Sequence, residues 1–418
     1  MAKSSRSSRV RPLPPMGLGE CLIGAAELRN VTQVVRNQTL FRYYGVGNAP
    51  YPNSFASRVE RAGEAMHGVR YALGVSSGTG ALEVALGALG VGPGDEVIIP
   101  VWSWVSCFSA VVRVGGQPVL AEVDETLNLD PNEIARLTTP RTRGVLVVHY
   151  QGVPADLAPI LKLAKERGLW VLEDNAESLG STYRGKPAGS YGDMAICSFQ
   201  QRKVVTTGEG GMVLTQSAAL YERAVRMSDL GLYRTEHQER APRKEPMFPG
   251  SNFRMGEMAA AVALAQLARV GPMVAKVRGL RDVLRAEIGE IPGVTWRRIP
   301  DSKGDIGFES YLFMPTAQQA QAVRTRATER GVTLTPHTGT YAQTAREYVK
   351  NRSTHAGARG PFQHFEAWPA PGYRPEDFPR THDLAERLIA IPIGVLFRKT
   401  EAAWIGRVLR EEIRRELG

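Results

Sequence analysis

Cysteine is rare in this chain: Cys21, Cys107 and Cys197 are the three among 418 residues. None stands in a CxxC or other metal-ligand spacing, so no metal site is expected, and a reducing cytoplasm is the natural compartment. Long apolar runs are missing too. Nowhere do eighteen apolar residues follow one another, so neither a spanning helix nor a membrane partner is expected. The opening MAKSSRSSRVRPLPP is basic and rich in Ser and Pro, with no apolar segment of signal-peptide type after it. Residues 1–20 therefore read as a disordered basic tail. The formal net charge of +10 has no aromatic-basic stripe or nucleic-acid module to go with it. The basic residues are scattered and mostly Arg, which reads as a solvated surface attracting an anionic substrate, with no nucleic-acid partner.

What is present is an ordinary globular composition, 43% hydrophobic and 22% charged, in a chain long enough for two domains. Between about 70 and 215, short apolar runs alternate with amphipathic segments. VIIPVW (97–102), GVLVVHY (144–150), LWVLED (169–174) and MAICSF (194–199) read as buried strands, nearly continuous in hydrophobicity as parallel strands covered on both faces should be. GALEVALGALG (80–90) and DLAPILKLAKERG (156–168) read as helices between them. This is βα alternation, hence an α/β fold with a mostly parallel central sheet flanked by helices. Residues 235–251 read as a loop and 255–270 as a helix. Beyond them, helices at 277–289, 316–330 and 400–416 mix with a strand-like ESYLFMP (309–315), which suggests a smaller α+β domain. The expected division is a large domain over 21–265 and a small one over 266–418. Residues 335–380, irregular and rich in Pro, Gly, His and aromatics, read as a functional loop.

Several segments at strand ends carry candidate chemistry. SSGTGALEVAL (76–86) is a turn into a helix, where amide N–H groups and the Thr79 hydroxyl make an anion site; a plain N-cap reads equally well. In WSWVS (102–106), Trp102 or Trp104 either stacks on a flat ligand or packs in the core. LEDNAES (172–178) ends a buried strand in two carboxylates, and a buried acid needs a partner such as a protonated ring nitrogen; Asp174 also reads as an N-cap. SFQQRKVVTTGEGG (198–211) adds the hydroxyl of Ser198 and the amine of Lys203. Ligands of open α/β sheets bind outside the carboxyl ends of the strands, where all these groups fall. An anion cradle, a ring stacker, a nitrogen partner and an amine nucleophile together describe pyridoxal phosphate held by a lysine Schiff base. Glycines after Lys203 let the chain fold back closely, and Glu209 within them reads as structural.

With SSGTGALEVALGALGVGPGDEVIIP, VHYQGVPADL, VLEDNAESLGSTYRGKPAGSYGD, SFQQRKVVTTGEGG and GSNFRM, the chain resembles the DegT/DnrJ-type aminotransferases from about residue 35 to its end. The resemblance implies fold type I, Lys203 as the Schiff-base lysine, Asp174 at the ring nitrogen and Trp104 on the ring. It places Gly78, Thr79, Gly80 and Ser198 near the phosphate and Glu177 beside the ring hydroxyl. It also implies a homodimer with a shared active site, in which Asn252 reaches the phosphate of the neighbouring subunit. Amino donors would be glutamate or glutamine, and acceptors a keto-sugar, keto-cyclitol or related carbonyl in specialised metabolism. The family's His-Tyr-x-Pro segment is only partly matched by LTPHTGTYAQ (334–343), where His337 is present, reading as a substrate contact or equally as a structural residue, and a tyrosine follows only at Tyr341. FRYYG (41–45) reads as a substrate-lining loop, Arg42 meeting an anionic group and Tyr43 and Tyr44 meeting hydroxyls, or else as a surface arginine and packed tyrosines. The same cofactor also serves dehydration, epimerisation and oxidative decarboxylation. A regulatory protein that kept the fold and lost the chemistry is a third reading, against which the intact Lys203, Asp174 and Thr79 argue.

Overall fold

The computed structural model describes residues 13–45, 47, 53–336, 342–351, 353–355 and 373–418. Seven strands form the main sheet: β1 (Tyr71–Val75), β2 (Glu96–Pro100), β3 (Gln117–Ala121), β4 (Thr142–Val148), β5 (Trp170–Asp174), β6 (Met194–Ser198) and β7 (Gly211–Thr215). Their order across the sheet is β1-β7-β6-β5-β4-β2-β3. Pairing is parallel from β3 through β6, while β7 runs antiparallel to both β1 and β6. β1, β2, β6 and β7 are buried along their whole length, as a sheet covered on both faces requires.

The helices between strands begin where side chains cap them. Ser77 precedes helix Gly78–Ala88 and accepts the Gly80 N–H at 2.9 Å. Pro131 opens helix Pro131–Leu137, with Asp130 as its cap. Both devices satisfy amides that the first helical turn leaves without partners. The small domain adds an antiparallel sheet of β8 (Thr295–Trp296), β9 (Glu309–Phe313) and β10 (Leu388–Pro392), with helices Val270–Ile288, Ala317–Glu329 and Lys399–Leu417. The expected border between 265 and 266 falls inside helix Glu257–Leu267. Among the described residues no single helix is long and apolar enough to cross a membrane; the bent pair Glu257–Leu267 and Val270–Ile288 passes that test only when joined.

Two expectations are corrected. Residues 235–251 are not wholly a loop, because Thr235–Arg240 is a short helix that buries His237 against Tyr43 and Tyr221. The tail expected through residue 20 is docked from residue 13 on. Leu18 is 4% exposed. The Gly19 N–H donates to the Lys203 carbonyl at 3.3 Å, and the Val395 N–H donates to the Gly17 carbonyl at 3.3 Å. This strap thus ties the lysine loop of the large domain to the turn after β10 in the small one.

Candidate functional site

Strands β5 and β6 end side by side, and the chain leaving each of them meets the start of helix Gly78–Ala88 and the small-domain sheet around a cavity of about 940 Å³. That volume has room for a cofactor with its substrate. Gly78, Thr79, Trp104, Asp174, Glu177, Ser198 and Lys203 all line it. Residues far apart in the chain are brought together because parallel strands put their carboxyl ends on one edge.

The two carboxylates ending β5 part company, since neighbours on a strand face opposite sides of the sheet. Glu173 points away from the cavity. There it meets His149 Nε2 at 2.9 Å and accepts the N–H groups of Gly189, Tyr191 and Gly192. Burial alone would raise its pKa, but the His149 contact and these amides hold it below the usual carboxylate range. Asp174 lines the cavity. Its Oδ1 accepts the Ala176 N–H at 2.9 Å and its Oδ2 accepts the Cys107 thiol at 3.2 Å. Burial raises its pKa, against the opposing pull of these two donors and of the Lys203 charge. No ion pair neutralises it among the described residues, so it has the unmet need of a buried acid facing a ligand.

Lys203 Nζ lies 3.1 Å from Glu177 Oε1, and Glu177 Oε2 accepts the Gln151 N–H at 3.1 Å. Gln151 holds a left-handed backbone, φ 48°, a conformation that non-glycine residues adopt under constraint from their surroundings. The end of the cavity at the start of helix Gly78–Ala88 is shaped by absence of side chains. A Cβ on Gly78 would sit 2.6 Å from the Cβ and Oγ of Ser198, and one on Gly211 would sit 2.6 Å from the Ser77 carbonyl oxygen. The helix start, β6 and the return from Lys203 are therefore pressed together by glycine. Ser77, Gly78 and Thr79 turn the helix N-terminus toward the cavity, where its dipole favours an anion. Gly80 does not line the cavity; a Cβ there would meet the Phe253 ring at 2.9 Å.

Pyridoxal phosphate fits this donor set. The uncompensated carboxyl of Asp174 suits a protonated ring nitrogen, the glycine-lined helix start suits a phosphate, and Lys203 supplies a primary amine. Trp104, 51% exposed at the start of helix Val105–Arg113, borders the cavity as a ring stacker would, whereas Trp102 is buried in the core. Glu209 is exposed at the cavity's edge.

Other expected residues lie elsewhere. Arg42 does not line the cavity. It is buried and forks onto Glu60 at 2.6 and 3.0 Å, with Glu236 at 3.3 Å. The substrate role is corrected, because its guanidinium is already committed to carboxylates inside the protein. Tyr43 is buried and bonds His237 Nε2 at 2.9 Å, and exposed Tyr44 accepts from Arg234 at 3.4 Å; neither lines the cavity. Arg42→Ala is expected to destabilise the fold by about 3 kcal/mol, since it leaves Glu60 buried with less compensation; urea unfolding measures it. Asn252 is exposed, outside its own chain's cavity, and bridges to Asp229 through the backbone. His337 and Tyr341 fall outside the described residues.

Sequence reasoning missed Cys107, Gln151 and Glu309. Cys107 is 67 residues from Asp174, and nothing local marks it. Gln151 precedes a glycine with φ 80°, a turn signal inside an otherwise strand-like run. Glu309 opens β9 and looked like part of an ordinary strand.

A family model described as the DegT/DnrJ/EryC1/StrS aminotransferase family matches residues 23–410. Over 219 residues the chain is 41% identical to a GDP-perosamine synthase of Caulobacter vibrioides, covering 52% of this chain and 57% of that protein. Over 226 residues it is 37% identical to a GDP-perosamine synthase of Escherichia coli O157:H7, covering 53% and 60%. The chain thus spans less than two thirds of the length of these relatives. The solved structure of a 3-amino-5-hydroxybenzoic acid synthase superimposes with a TM-score of 0.77 at 27% identity, covering 94% of this chain and 97% of that one.

Proposed function

The chain belongs to the DegT/DnrJ/EryC1/StrS aminotransferase family, and from that premise we propose that it is a pyridoxal-phosphate aminotransferase that moves an amino group from glutamate or glutamine to the ketone of a sugar, cyclitol or related carbonyl compound in specialised metabolism. The observation that carries this reading is the meeting of Lys203, Asp174 and the helix start at Gly78 in one cavity. The names of the relatives favour a sugar acceptor.

Pyridoxal phosphate, when bound, supplies an aldehyde for amines to condense with and a ring that takes up electrons released at the substrate's Cα. The protein's part is to hold and to move protons. Asp174 keeps a proton on the ring nitrogen, and in a sheltered site that pairing acts more strongly than in water. Gly78, Thr79 and Ser198 would hold the phosphate, Trp104 would stack against a face of the ring, and Glu177 would stand beside the ring hydroxyl. Lys203 is the amine that carries the proton away from the donor's Cα and returns one to the acceptor's carbon. Its contact with Glu177 holds Nζ inside the cavity.

The working unit is a homodimer. Exposed Leu40, Phe41, Leu230 and Leu232 gather near Asn252, because the Leu230 N–H bonds the Ser251 carbonyl and Arg234 lies over the Phe41 ring. Apolar surface of this kind is characteristic of a contact between chains, and it would carry Asn252 toward the phosphate site of a second copy.

The half-reaction tests the proposal. Incubated with L-glutamate or L-glutamine and no acceptor, the cofactor-loaded protein is expected to convert one equivalent of pyridoxal phosphate to pyridoxamine phosphate, with release of the matching 2-oxo acid. Release of ammonia or carbon dioxide with no pyridoxamine phosphate would support one of the other reactions of the cofactor instead.

A further inference from the structure

The small domain delivers to the cavity a buried acid that the proton transfers above do not use. Glu309 opens β9 and is 6% exposed, yet it lines the same space as Lys203 and Glu177. Its two oxygens are held by neutral hydroxyls: Tyr311 donates to Oε2 at 2.5 Å and Thr335 donates to Oε1. Arg297 acts on it only through its field, with N–H groups given to the carbonyls of Thr126 and Tyr150. Burial pushes the Glu309 carboxyl up to about 6, and the charge of Glu177 works in the same direction. Glu177 has Lys203 as its counter-ion; Glu309 has no ion-pair partner among the described residues. The charged lining of the cavity is mainly acidic, with Glu20, Asp174, Glu177, Glu209 and Glu309 against Arg202 and Lys203.

We propose that Glu309 determines which amino donor is used, accepting a hydrogen bond from an uncharged N–H at the donor's far end and rejecting a carboxylate there, so that L-glutamine is used over L-glutamate. The inference rests on the aminotransferase reading and specifies its donor. The two amino acids differ only at that end, where a carboxamide offers two N–H donors and a carboxylate offers none. With the amine end at Lys203 on the large-domain floor, the far end is placed by this proposal against the small-domain wall of the same cavity. Of the small-domain wall formed by Phe308, Glu309, Thr335 and Pro392, only Glu309 and Thr335 are polar, and the Thr335 hydroxyl proton already goes to Glu309. A carboxylate placed there faces an acid with no counter-ion, and like charges in a sheltered site repel strongly. Sites built around a buried polar group discriminate steeply against a ligand that leaves the group unpaired.

The test is the single-turnover half-reaction of the full-length, cofactor-loaded protein with each amino acid in turn, followed by pyridoxamine phosphate formed. Wild type is expected to favour L-glutamine by at least about tenfold in the ratio of apparent second-order rate constants. Glu309→Gln is expected to bring that ratio to within about twofold, chiefly by improving L-glutamate. A wild-type preference for L-glutamate, or an unchanged ratio in E309Q, overturns the proposal; should E309Q fail to fold, Glu309→Ala is read in its place and an unchanged ratio there overturns it equally. If neither amino acid reacts with wild type, the donor assignment falls, and the aminotransferase reading falls with it only if no other amino acid forms pyridoxamine phosphate.

Discussion

Lys203→Ala is expected to lower turnover by at least about 10³-fold, because on the proposed reading it removes both the amine that holds the cofactor and the group that moves the Cα proton. No other lysine lines the cavity. Arg202, the other cation in the lining, offers a guanidinium rather than a primary amine. The substitution should not unfold the protein. The contacts that fix the loop run through the backbone, with the Lys203 N–H on the Gln200 carbonyl at 2.9 Å and the Lys203 carbonyl receiving the Gly19 N–H at 3.3 Å. An unchanged circular dichroism spectrum beside lost turnover is the expected pair of results. Turnover within tenfold of wild type would remove Lys203 from the reaction.

Asp174→Asn is expected to lower turnover by about 10²- to 10³-fold, the usual effect of deleting one charged group that acts on charge developing in the reaction. An amide can neither hold a ring nitrogen protonated nor accept on both sides, as the carboxylate does from Ala176 and Cys107. Stability of the cofactor-free protein should move the other way. Because the folded state raises the Asp174 pKa, it binds the proton more tightly than the unfolded chain does. Stability then falls as pH climbs from the ordinary aspartate value through the raised one, and the penalty is complete above it. D174N lacks that penalty, so cofactor-free D174N should gain on wild type in thermal melts as pH rises from 4 toward 8. A variant that loses stability relative to wild type over that range contradicts the account of Asp174 as an uncompensated acid.

The large domain was legible because its strands are short apolar runs that stand out from their surroundings. The expected strand at 169–174 became Trp170–Asp174, and that at 194–199 became Met194–Ser198. Helix starts were less legible: Val270–Ile288 begins seven residues before the expected 277, since buried Val270, Met273 and Val274 lie in a stretch broken by Gly and Pro. The cavity-lining residues could be found because strand ends follow from the strands. What depended on distant partners could not. Arg42 looked available until Glu60 and Glu236 were seen around it. The Pro-rich segment at 13–20 has no periodicity, and it is held by backbone bonds to Lys203 and Val395 far along the chain. Glu309 sits at the start of a strand whose pattern says only that it is buried, and its exposure to the cavity depends on how the small domain meets the large one.

The most direct test is borohydride reduction of the protein supplemented with pyridoxal phosphate, followed by digestion and mass spectrometry of the peptide that contains residue 203. The account predicts a pyridoxyl group on Lys203 in wild type and none on that peptide in K203A. A colourless wild-type protein with an unmodified Lys203 peptide, or the same label on another lysine, would contradict it.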